Sequence, residues 1–481
     1  MRRKLTATLL ALSLMGGLTG CGTSTPTEEN NTTPPAQNQV TEEPQKEVEE
    51  EVQYDFGGRV VRIGSYYDMT PNPENSIFQE ALAERISFVE ENYNCDIEFV
   101  NLGGNFVDQY VTSVLAGDPV VDVGYMLSYR LLPAMIEGGI AYPISDLSVF
   151  DFSQPKWDQV AVESGTYKGK NYALRVKEAR AEYGIFWNKT LFEQAGLPDL
   201  YELYEKGEWT WDKFKEIAIA GNQDTNNDGE TDIWGFNQRE NLVWSFMNSN
   251  NAEAITKTAD GVEVNLNSKE ASEALEAYAD FMLNVPHLQG WLGDWQSQIF
   301  SFRDGQSLMC YEAWWISGGY LKEMADEWGY VPFPKGPSAT GYTSYGKEAD
   351  PLMMLNGIEK PEEVAQILDL IYDVYETPEE WEESAIAIFE AQATDANAVE
   401  ICLELSDKIK ISPLMGFTDL NTLINDMLNE IASGASTPQT ALETYQSAIN
   451  KALEDLKAHD YDADMQAYTV EEVKKEEDKK D

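Results

Sequence analysis

Hydrophobic positions along the chain alternate between two spacings from residue 59 onward. Residues 59–66, RVVRIGSY, have the apolar, β-branched character that predicts a strand. Residues 76–93 carry apolar positions three to five apart, beginning with Ile77 and Leu82, and predict an amphipathic helix. The strand, helix, strand order continues over residues 95–126. This alternation predicts a parallel sheet covered by helices, which is one half of a doubly wound α/β fold.

The rest of the body predicts a second unit of structure. A body of about 420 residues is too long for a single hydrophobic core. Residues 165–199 have the pattern of a hairpin followed by a strand and a helix, and residues 329–355 are rich in proline and glycine. Both stretches have the character of crossings between two lobes. Residues 361–457 have a largely helical pattern, and Pro361 followed by two acids is a typical helix start.

The first residues predict export and a lipid anchor. Three basic residues precede an apolar run too short to span a bilayer, so residues 1–20 have the pattern of a signal peptide. The run ends in Leu-Thr-Gly before Cys21, as in a bacterial lipobox, in which the cysteine sulfur carries the lipid. We therefore expect the protein at the extracellular face of the cytoplasmic membrane. The alternative is an ordinary signal peptide with an accidental cysteine.

Two polar segments flank the expected body. Residues 21–54 are rich in Thr, Glu, Pro and Gln and cannot bury enough apolar surface to fold, so they predict a disordered tether. Residues 471–481 form a charged tail. No later stretch approaches 18 uninterrupted apolar residues, so the lipid is the only membrane contact that we expect.

Charge and composition argue against several functions. The chain has 34 basic and 84 acidic residues, and its net charge of −50 disfavours binding to nucleic acid or anionic headgroups. His287 and His459 are too few for a histidine zinc site or a Ser-His-Asp triad. Three cysteines beyond Cys21 leave two alternatives open, one disulfide or three buried thiols; they are Cys95, Cys310 and Cys402.

Aromatic and charged residues follow two of the predicted strands. In a parallel sheet, ligands bind beyond the carboxyl ends of the strands. Tyr66, Tyr67 and Asp68 follow the first strand, and Tyr129 and Arg130 follow the third. The first loop has no glycine run that would bring backbone close to a phosphate. Flat rings beside charged groups favour a polyhydroxylated or a cationic ligand instead.

Six segments, in this order, resemble a known family. They are AYPISDL (141–147), YKGKNYAL (167–174), WNKTLFEQAGLPD (187–199), EWTWDKFKEIA (208–218), FRDGQSLMCYEAWW (302–315) and GYVPFPKGP (329–337). Together with the lipobox and tether, they make the chain similar to the extracellular solute-binding lipoproteins of ABC importers, the family that includes maltose-binding protein. Trp187 departs from the pattern, because the family more often has tyrosine before Asn-Lys.

The resemblance implies a two-lobed periplasmic-binding-protein-like fold of type II, with two doubly wound α/β lobes joined by a hinge. The first lobe would comprise residues 55–178 and 338–388, and the second lobe residues 179–337 and 389–470. The lobes would close around a solute in the cleft between them, and ABC permease subunits would recognise the closed form. Such a protein is not an enzyme and needs no cofactor, and we expect a monomer.

The tryptophans favour an oligosaccharide as the solute. Ten of the twelve lie between Trp187 and Trp328, and the resemblance implies that aromatic rings of the second lobe carry the C–H faces of sugars. The candidate platforms are Trp244, Trp291, Trp295, Trp314 and Trp315. Large aromatic residues are also the usual content of a core, which is the alternative for each. The candidate polar contacts are Asp68, Arg130, Arg180, Glu182, Glu312 and Lys347.

Three other functions stay open. The ligand could be a peptide or a polyamine, since acids among aromatic residues also suit a polyamine. A sensory lipoprotein would keep the same binding fold but signal to a kinase. An extracellular glycoside hydrolase would need two carboxylates about 5–10 Å apart, and no motif points to such a pair.

Residues 224–236, DTNNDGETDIWGF, resemble a calcium-binding loop. Five residues occupy ligand positions of such a loop and would hold a structural Ca²⁺: Asp224, Asn226, Asp228, Glu230 and Asp232. The twelfth position should be a bidentate glutamate and is Gly235. The following residues have the pattern of a strand and not of an exiting helix. The alternative is an Asx-rich turn that binds no metal.

Overall fold

The computed structural model describes residues 54–238, 241–289, 296–375, 377–461 and 463–464. The chain divides into two units, Met1–Val52 and Gln53–Asp481, and every described residue lies in the second. Several predictions concern residues outside the described ones: the signal peptide, Cys21, the tether up to residue 53, Trp291, Trp295 and the charged tail.

The described part of the chain contains fifteen strands and fifteen α-helices. The strands are β1 (Arg59–Ser65), β2 (Cys95–Asn101), β3 (Val123–Tyr125), β4 (Thr166–Tyr167), β5 (Lys170–Asn171), β6 (Tyr183–Asn188), β7 (Asn237–Gln238), β8 (Ile255–Thr258), β9 (Gly261–Val264), β10 (Leu288–Gln289), β11 (Met309–Ala313), β12 (Trp328–Pro332), β13 (Ser344–Gly346), β14 (Leu352–Met354) and β15 (Ile409–Ile411). The helices are α1 (Ile77–Tyr93), α2 (Phe106–Leu115), α3 (Ser128–Arg130), α4 (Gln159–Ser164), α5 (Lys189–Ala195), α6 (Leu200–Glu205), α7 (Trp211–Ala220), α8 (Leu242–Asn248), α9 (Lys269–Asn284), α10 (Ser297–Arg303), α11 (Pro361–Ile371), α12 (Pro378–Glu390), α13 (Ala396–Ser406), α14 (Thr418–Ala432) and α15 (Pro438–Ala458). Short 3₁₀ turns occupy Ile144–Asp146, Trp314–Ile316 and Pro413–Gly416, and a π-helical turn occupies Leu131–Met135.

The first sheet has four strands in the order β14-β3-β1-β2. Strands β1, β2 and β3 run parallel, with Ser65 opposite Asn101, which confirms the prediction from the alternating pattern. Strand β14 returns antiparallel beside β3. The carboxyl ends of three strands therefore meet at one edge of this sheet, and we call the sheet and its helices the first lobe.

Helix α1 shows how the local sequence defines an element of the first lobe. The Ser76 hydroxyl accepts a hydrogen bond from the Gln79 N–H and caps the start of the helix. Asn94 ends the helix in a left-handed conformation at φ 55°, which asparagine tolerates. The buried side chains include Phe78 and Leu82, while Ile77 is exposed, so the buried face begins one residue later than the pattern predicted.

The second sheet follows the order β10-β7-β11-β6-β13-β15, and β12 also pairs with β6. Strand β6 is antiparallel to β11, β12 and β13, whereas β7, β10 and β11 are parallel to one another. The start of β6 and the ends of β7, β10, β11 and β13 consequently lie at one edge. We call this sheet and its helices the second lobe.

The core of the second lobe is built largely from aromatic rings. The rings of Phe214 and Phe281 stack with centroids 4.8 Å apart. Trp187 and Trp209 of the same lobe are fully buried. Helix α7 buries Trp211 and Phe214 on the same side of the helix. Much of the tryptophan concentration therefore belongs to the core, and the distribution alone does not indicate ligand platforms.

The chain crosses between the two sheets at several points. One crossing links Leu174, which pairs with Leu352 of the first lobe, to β6 of the second. Another runs from β13 to β14. Strand β13 lies within residues 338–388, which the resemblance placed in the first lobe, but it pairs with β6 and β15 of the second sheet. The exact lobe boundaries stay a prediction.

Candidate ligand-binding cleft

The edge of the first sheet carries a cluster of aromatic rings. Tyr66 and Tyr67 follow β1, and their rings lie 4.8 Å apart and 5.6 Å each from the ring of Tyr125 at the end of β3. Phe106 at the start of α2 lies 5.5 Å from Tyr66. Tyr66 and Tyr67 are 43% and 42% exposed, so this part of the predicted site presents aromatic surface to solvent.

Arg130 lies on the same cluster. Its guanidinium carbon is 6.0 Å from the ring centroid of Phe106 and 5.9 Å from that of Tyr129, within the range of a cation–π contact. Asp68 is exposed, and hydrogen bonds from Thr70 hold the pKa of its carboxyl below the usual value. The structure thus places Arg130 against the aromatic cluster of the first lobe, and it leaves Asp68 as an exposed charged group in the loop after β1.

Trp315 and Trp244 are the two candidate platforms of the second lobe that keep exposed or partly exposed rings. Trp315 follows β11, is 46% exposed and makes an edge contact with Tyr320 at 5.4 Å. Trp244 lies on α8, which begins shortly after β7, and is partly buried. Both residues keep aromatic surface near the ends of strands, where the sequence predicted ligand platforms.

Trp314 and Glu312 lie in the interior, which corrects two predicted contacts. Trp314 is 3% exposed, its ring lies 5.0 Å from that of Tyr330, and its indole N–H donates to Gln392 at 2.7 Å. Trp314 and Trp315 are successive residues of one 3₁₀ turn, so their side chains point in different directions, and of the two only Trp315 is left on the surface. The carboxylate of Glu312 is fully buried and accepts a hydrogen bond from Gln298 at 3.0 Å.

Charged groups gather where the chain crosses between the lobes. Arg175 lies 3.6 Å from Asp350, which also accepts a 2.8 Å hydrogen bond from the Tyr125 hydroxyl. Arg180 lies 3.4 Å from Asp158 and 3.9 Å from Glu182. These contacts tie both crossings to the aromatic edge of the first lobe.

Burial changes the acidity of two carboxyls in this network. Burial raises the pKa of Glu182 to about 7, against the attraction of Arg180. Burial and Asp350 also raise the pKa of Glu348, while Lys347 and Arg130 oppose that rise. Arg130, Arg180, Glu182 and Lys347 are therefore brought together around the crossings, where they could contact a ligand or set the position of the hinge.

A cavity of about 460 Å³ opens between the lobes, within the usual range for small-molecule sites. Tyr129 and Trp244 line it from opposite lobes. Its polar lining otherwise consists of residues that are not among the predicted ligand contacts: Ser128, Glu163, Ser164, Thr166, Tyr167, Lys168, Asn248, Glu253, Thr256, Lys257, Thr258, Tyr345, Lys410 and Ser412. Hydroxyls, an amide and charged groups around four aromatic rings suit a polyhydroxylated ligand.

One signal in the sequence was available for part of this lining. Residues 255–264, ITKTADGVEV, alternate around Asp-Gly and predict a β-hairpin, which the structure forms as β8 and β9. Lys410 and Tyr345 had no comparable signal, because their place at the cavity depends on the pairing of β13 with β15.

The acidic loop at 224–236 is an internally hydrogen-bonded turn. Asp224 accepts hydrogen bonds from the backbone N–H groups of Asp228 and Gly229. Asp232 accepts them from Thr225 and Asn226 and so engages both of its oxygens. Within the described residues, no three His, Cys, Asp or Glu side chains are placed to share a metal. The five predicted Ca²⁺ ligands also include the Asn226 side chain, so the Ca²⁺ site stays a prediction. Residues 237–238 after the loop form β7 and not a helix.

The two sheets, the crossings and the cavity between facing edges define a two-lobed solute-binding protein. A family model described as bacterial extracellular solute-binding protein matches residues 70–373, more than half of the chain. The chain belongs to this family of binding proteins, and its fold is the two-lobed type II fold of mixed helices and strands that the sequence resemblance implied. No helix of the described ranges combines the length and apolarity that a bilayer span requires.

Several solved structures are similar to the chain in fold. The cyclic alpha-maltosyl-1,6-maltose binding protein from Arthrobacter globiformis is 18% identical, with a TM-score of 0.61 over 83% of this chain and 100% of that one. The GacH receptor of Streptomyces glaucescens is 17% identical, with a TM-score of 0.55 over 83% and 99%. The substrate-binding protein Lmo0181 from Listeria monocytogenes, in complex with cycloalternan, is 19% identical, with a TM-score of 0.54 over 82% and 99%. No curated protein sequence matches the chain.

Proposed function

We propose that the protein captures an oligosaccharide in the cleft between its lobes and delivers it to an ABC permease. The observation that carries this proposal is the placement of exposed rings, Tyr66 and Tyr67 at one edge and Trp315 at the other. Trp244 and the hydroxyl-rich lining of the cavity add the stacking surface and hydrogen-bonding groups that sugar rings need. The similar protein from Listeria was solved in complex with cycloalternan, and the one from Arthrobacter is named for binding cyclic alpha-maltosyl-1,6-maltose. Both ligands are oligosaccharides, which supports the same class of solute here.

Capture follows from contacts that exist only when the lobes are close. A sugar that touches Tyr129 of the first lobe and Trp244 of the second gains both contacts only in the closed state. Its binding therefore shifts the population toward closure by the difference in affinity between the two states. No covalent bond of the sugar is made or broken, and the permease binds the closed form of the protein.

The proposal includes the way in which the protein is held at the cell. Residues 1–20 would be removed, the sulfur of Cys21 would carry a lipid, and residues 21–54 would hold the binding body away from the extracellular face of the membrane as a monomer. The pattern of the N-terminal sequence supports this arrangement. Labelling of the full-length protein with a radioactive fatty acid tests it, with Cys21→Ser as the variant that should lose the label.

A thermal-shift panel tests the class of solute. The lipid-free body is melted with maltotriose, cellotriose, mannotriose, spermidine and a tripeptide, each in excess. A ligand at about 100 times its Kd stabilises the folded state by about 2.7 kcal/mol, which raises Tm measurably. A rise with at least one saccharide supports the proposal, and a rise with spermidine or the peptide alone would replace it. Release of free sugar from any saccharide would make the protein a hydrolase.

A second ligand class has a structural observation in its favour. The carboxylates of Glu178, Glu182, Glu348 and Asp350 outnumber the arginines of the crossing network, and such a group could bind a polyamine. The cavity itself, however, is also lined by Lys257 and Lys410, which a polyamine would have to approach. We therefore favour a saccharide, and the spermidine sample separates the two.

A further inference from the structure

A β-hairpin of the second lobe reaches across to the first. Strands β8 and β9 pair with each other and form a separate two-stranded sheet between α8 and α9. Gly261 at its turn has a φ of 132°, a conformation that only glycine adopts readily. The hairpin buries Ile255 and Val262, and Lys257 lies directly opposite Val262 across the two strands.

The contact with the first lobe is made by Lys257. Its ammonium group donates to the carbonyl oxygen of Glu163 and, at 3.3 Å, to that of Ser164, both in the last turn of α4. Carbonyls at the end of a helix lack partners within the helix, and a cation there is favoured electrostatically. The tip of the hairpin also approaches the first lobe, since a Cβ on Gly261 would lie 3.9 Å from the Tyr167 hydroxyl.

Helix α4 connects this contact to the charged network at the crossings. Asp158 caps its first residues and contacts Arg180 at 3.4 Å. Six helical residues, about 9 Å at 1.5 Å per residue, separate that end from the end that Lys257 holds. Thus α4 has one end at the hinge network and the other against the second lobe.

We propose that the hairpin β8–β9 is an interlobe latch, in which Lys257 holds the lobes together before any solute binds. Because Thr256, Lys257 and Thr258 also line the cavity opposite Glu163 and Ser164, the latch closes one side of the binding site. Lys257 is therefore a positioning residue for capture. Opening the lobes requires its hydrogen bonds to α4 to break, which lowers the fraction of ligand-free molecules that are open.

The latch predicts a measurable change in lobe separation without ligand. Spin labels are placed on exposed positions of the two lobes through Asp96→Cys and Asp212→Cys, and their distance distribution is measured by electron paramagnetic resonance in the ligand-free protein. Lys257→Met keeps the apolar stem but removes the donor, and should raise the open-to-closed ratio by roughly tenfold to a hundredfold, since bonds from charged donors are lost. Lys257→Gln, whose amide is too short to bridge, should give the same change.

The control is Glu263→Gln, an exposed residue of the same hairpin. It should leave the distribution unchanged. The latch would be overturned if both Lys257 variants gave the same distance distribution as the wild type. It would also be overturned if the ligand-free wild type showed only the longer label-to-label distance of the open state. Because no ligand is present, either result leaves the proposed capture of a saccharide untouched.

Discussion

Glu182 makes the stability of the protein depend on pH in a direction that its burial determines. Glu182 immediately precedes β6, where the chain has just crossed between the lobes, and burial raises the pKa of its carboxyl from an ordinary 4.5 to about 7. Below pH 4.5 the carboxyl is protonated in both the folded and the unfolded protein. Between pH 4.5 and 7 it ionises more readily in the unfolded chain, so the free energy of unfolding falls as the pH rises.

The magnitude follows from the pKa interval. From 4.5 to about 7, at about 1.36 kcal/mol for each pH unit, the loss of stability amounts to about 3 kcal/mol. Glu182→Gln removes the ionisation, so the variant should match the wild type near pH 4.5 and exceed it by up to this amount above pH 7. Urea unfolding at pH 4.5, 5.5, 6.5 and 7.5, followed by tryptophan fluorescence, measures the difference.

Glu263→Gln is the matched control for this experiment, because it removes an exposed carboxylate. Its stability should follow that of the wild type at every pH. Parallel pH profiles of Glu182→Gln and the wild type would refute the reasoning, since they would mean that Glu182 ionises equally in the folded and unfolded states.

Three further predictions concern the interior and the acidic turn. Trp314→Ala should cost about 3–5 kcal/mol in urea unfolding because the ring is buried, whereas Trp315→Ala should cost less than half as much; equal losses would contradict the difference in burial between the two rings. Without reductant, the denatured lipid-free body, which lacks Cys21, should expose three thiols to Ellman's reagent, and one thiol would indicate a disulfide. The native body should expose none at pH 8, because all three thiols are buried and burial raises the pKa of Cys95 to about 11. EDTA should leave Tm unchanged because the turn at 224–236 is held by its own hydrogen bonds, and a fall in Tm reversed by Ca²⁺ would show that the turn holds the predicted ion.

The fold of the first lobe could be predicted because its signals are local. Strands β1 to β3 and the helices between them each show their own period in the sequence, and their parallel order follows from the connections. The caps of α1 and α7 at Ser76 and Thr210 are equally local. The sheet to which β13 belongs was harder to predict. A three-residue strand after a glycine-rich stretch has too little pattern of its own, and its sheet is determined by the strands with which it pairs.

The candidate site was predictable only in part. Tyr66, Tyr67 and Arg130 could be found because they follow predicted strands, and those ends form an edge. Trp314 and Trp315 could not be separated without knowing which one faces the core. Lys257 was missed because its partners are backbone carbonyls nearly a hundred residues earlier in the chain, and a carbonyl has no signature in a sequence.

The central claim is that an oligosaccharide is held between exposed rings of the two lobes. The direct test is isothermal titration calorimetry of the lipid-free body with the saccharide that gives the largest rise in Tm. The wild type is compared with Trp315→Ala and with the control Phe88→Ala, because the ring of Phe88 is similarly exposed but lies on α1. We predict that Trp315→Ala weakens binding by about tenfold or more, equivalent to about 1.4 kcal/mol, and that Phe88→Ala binds like the wild type. Binding of Trp315→Ala with wild-type affinity would contradict the claim.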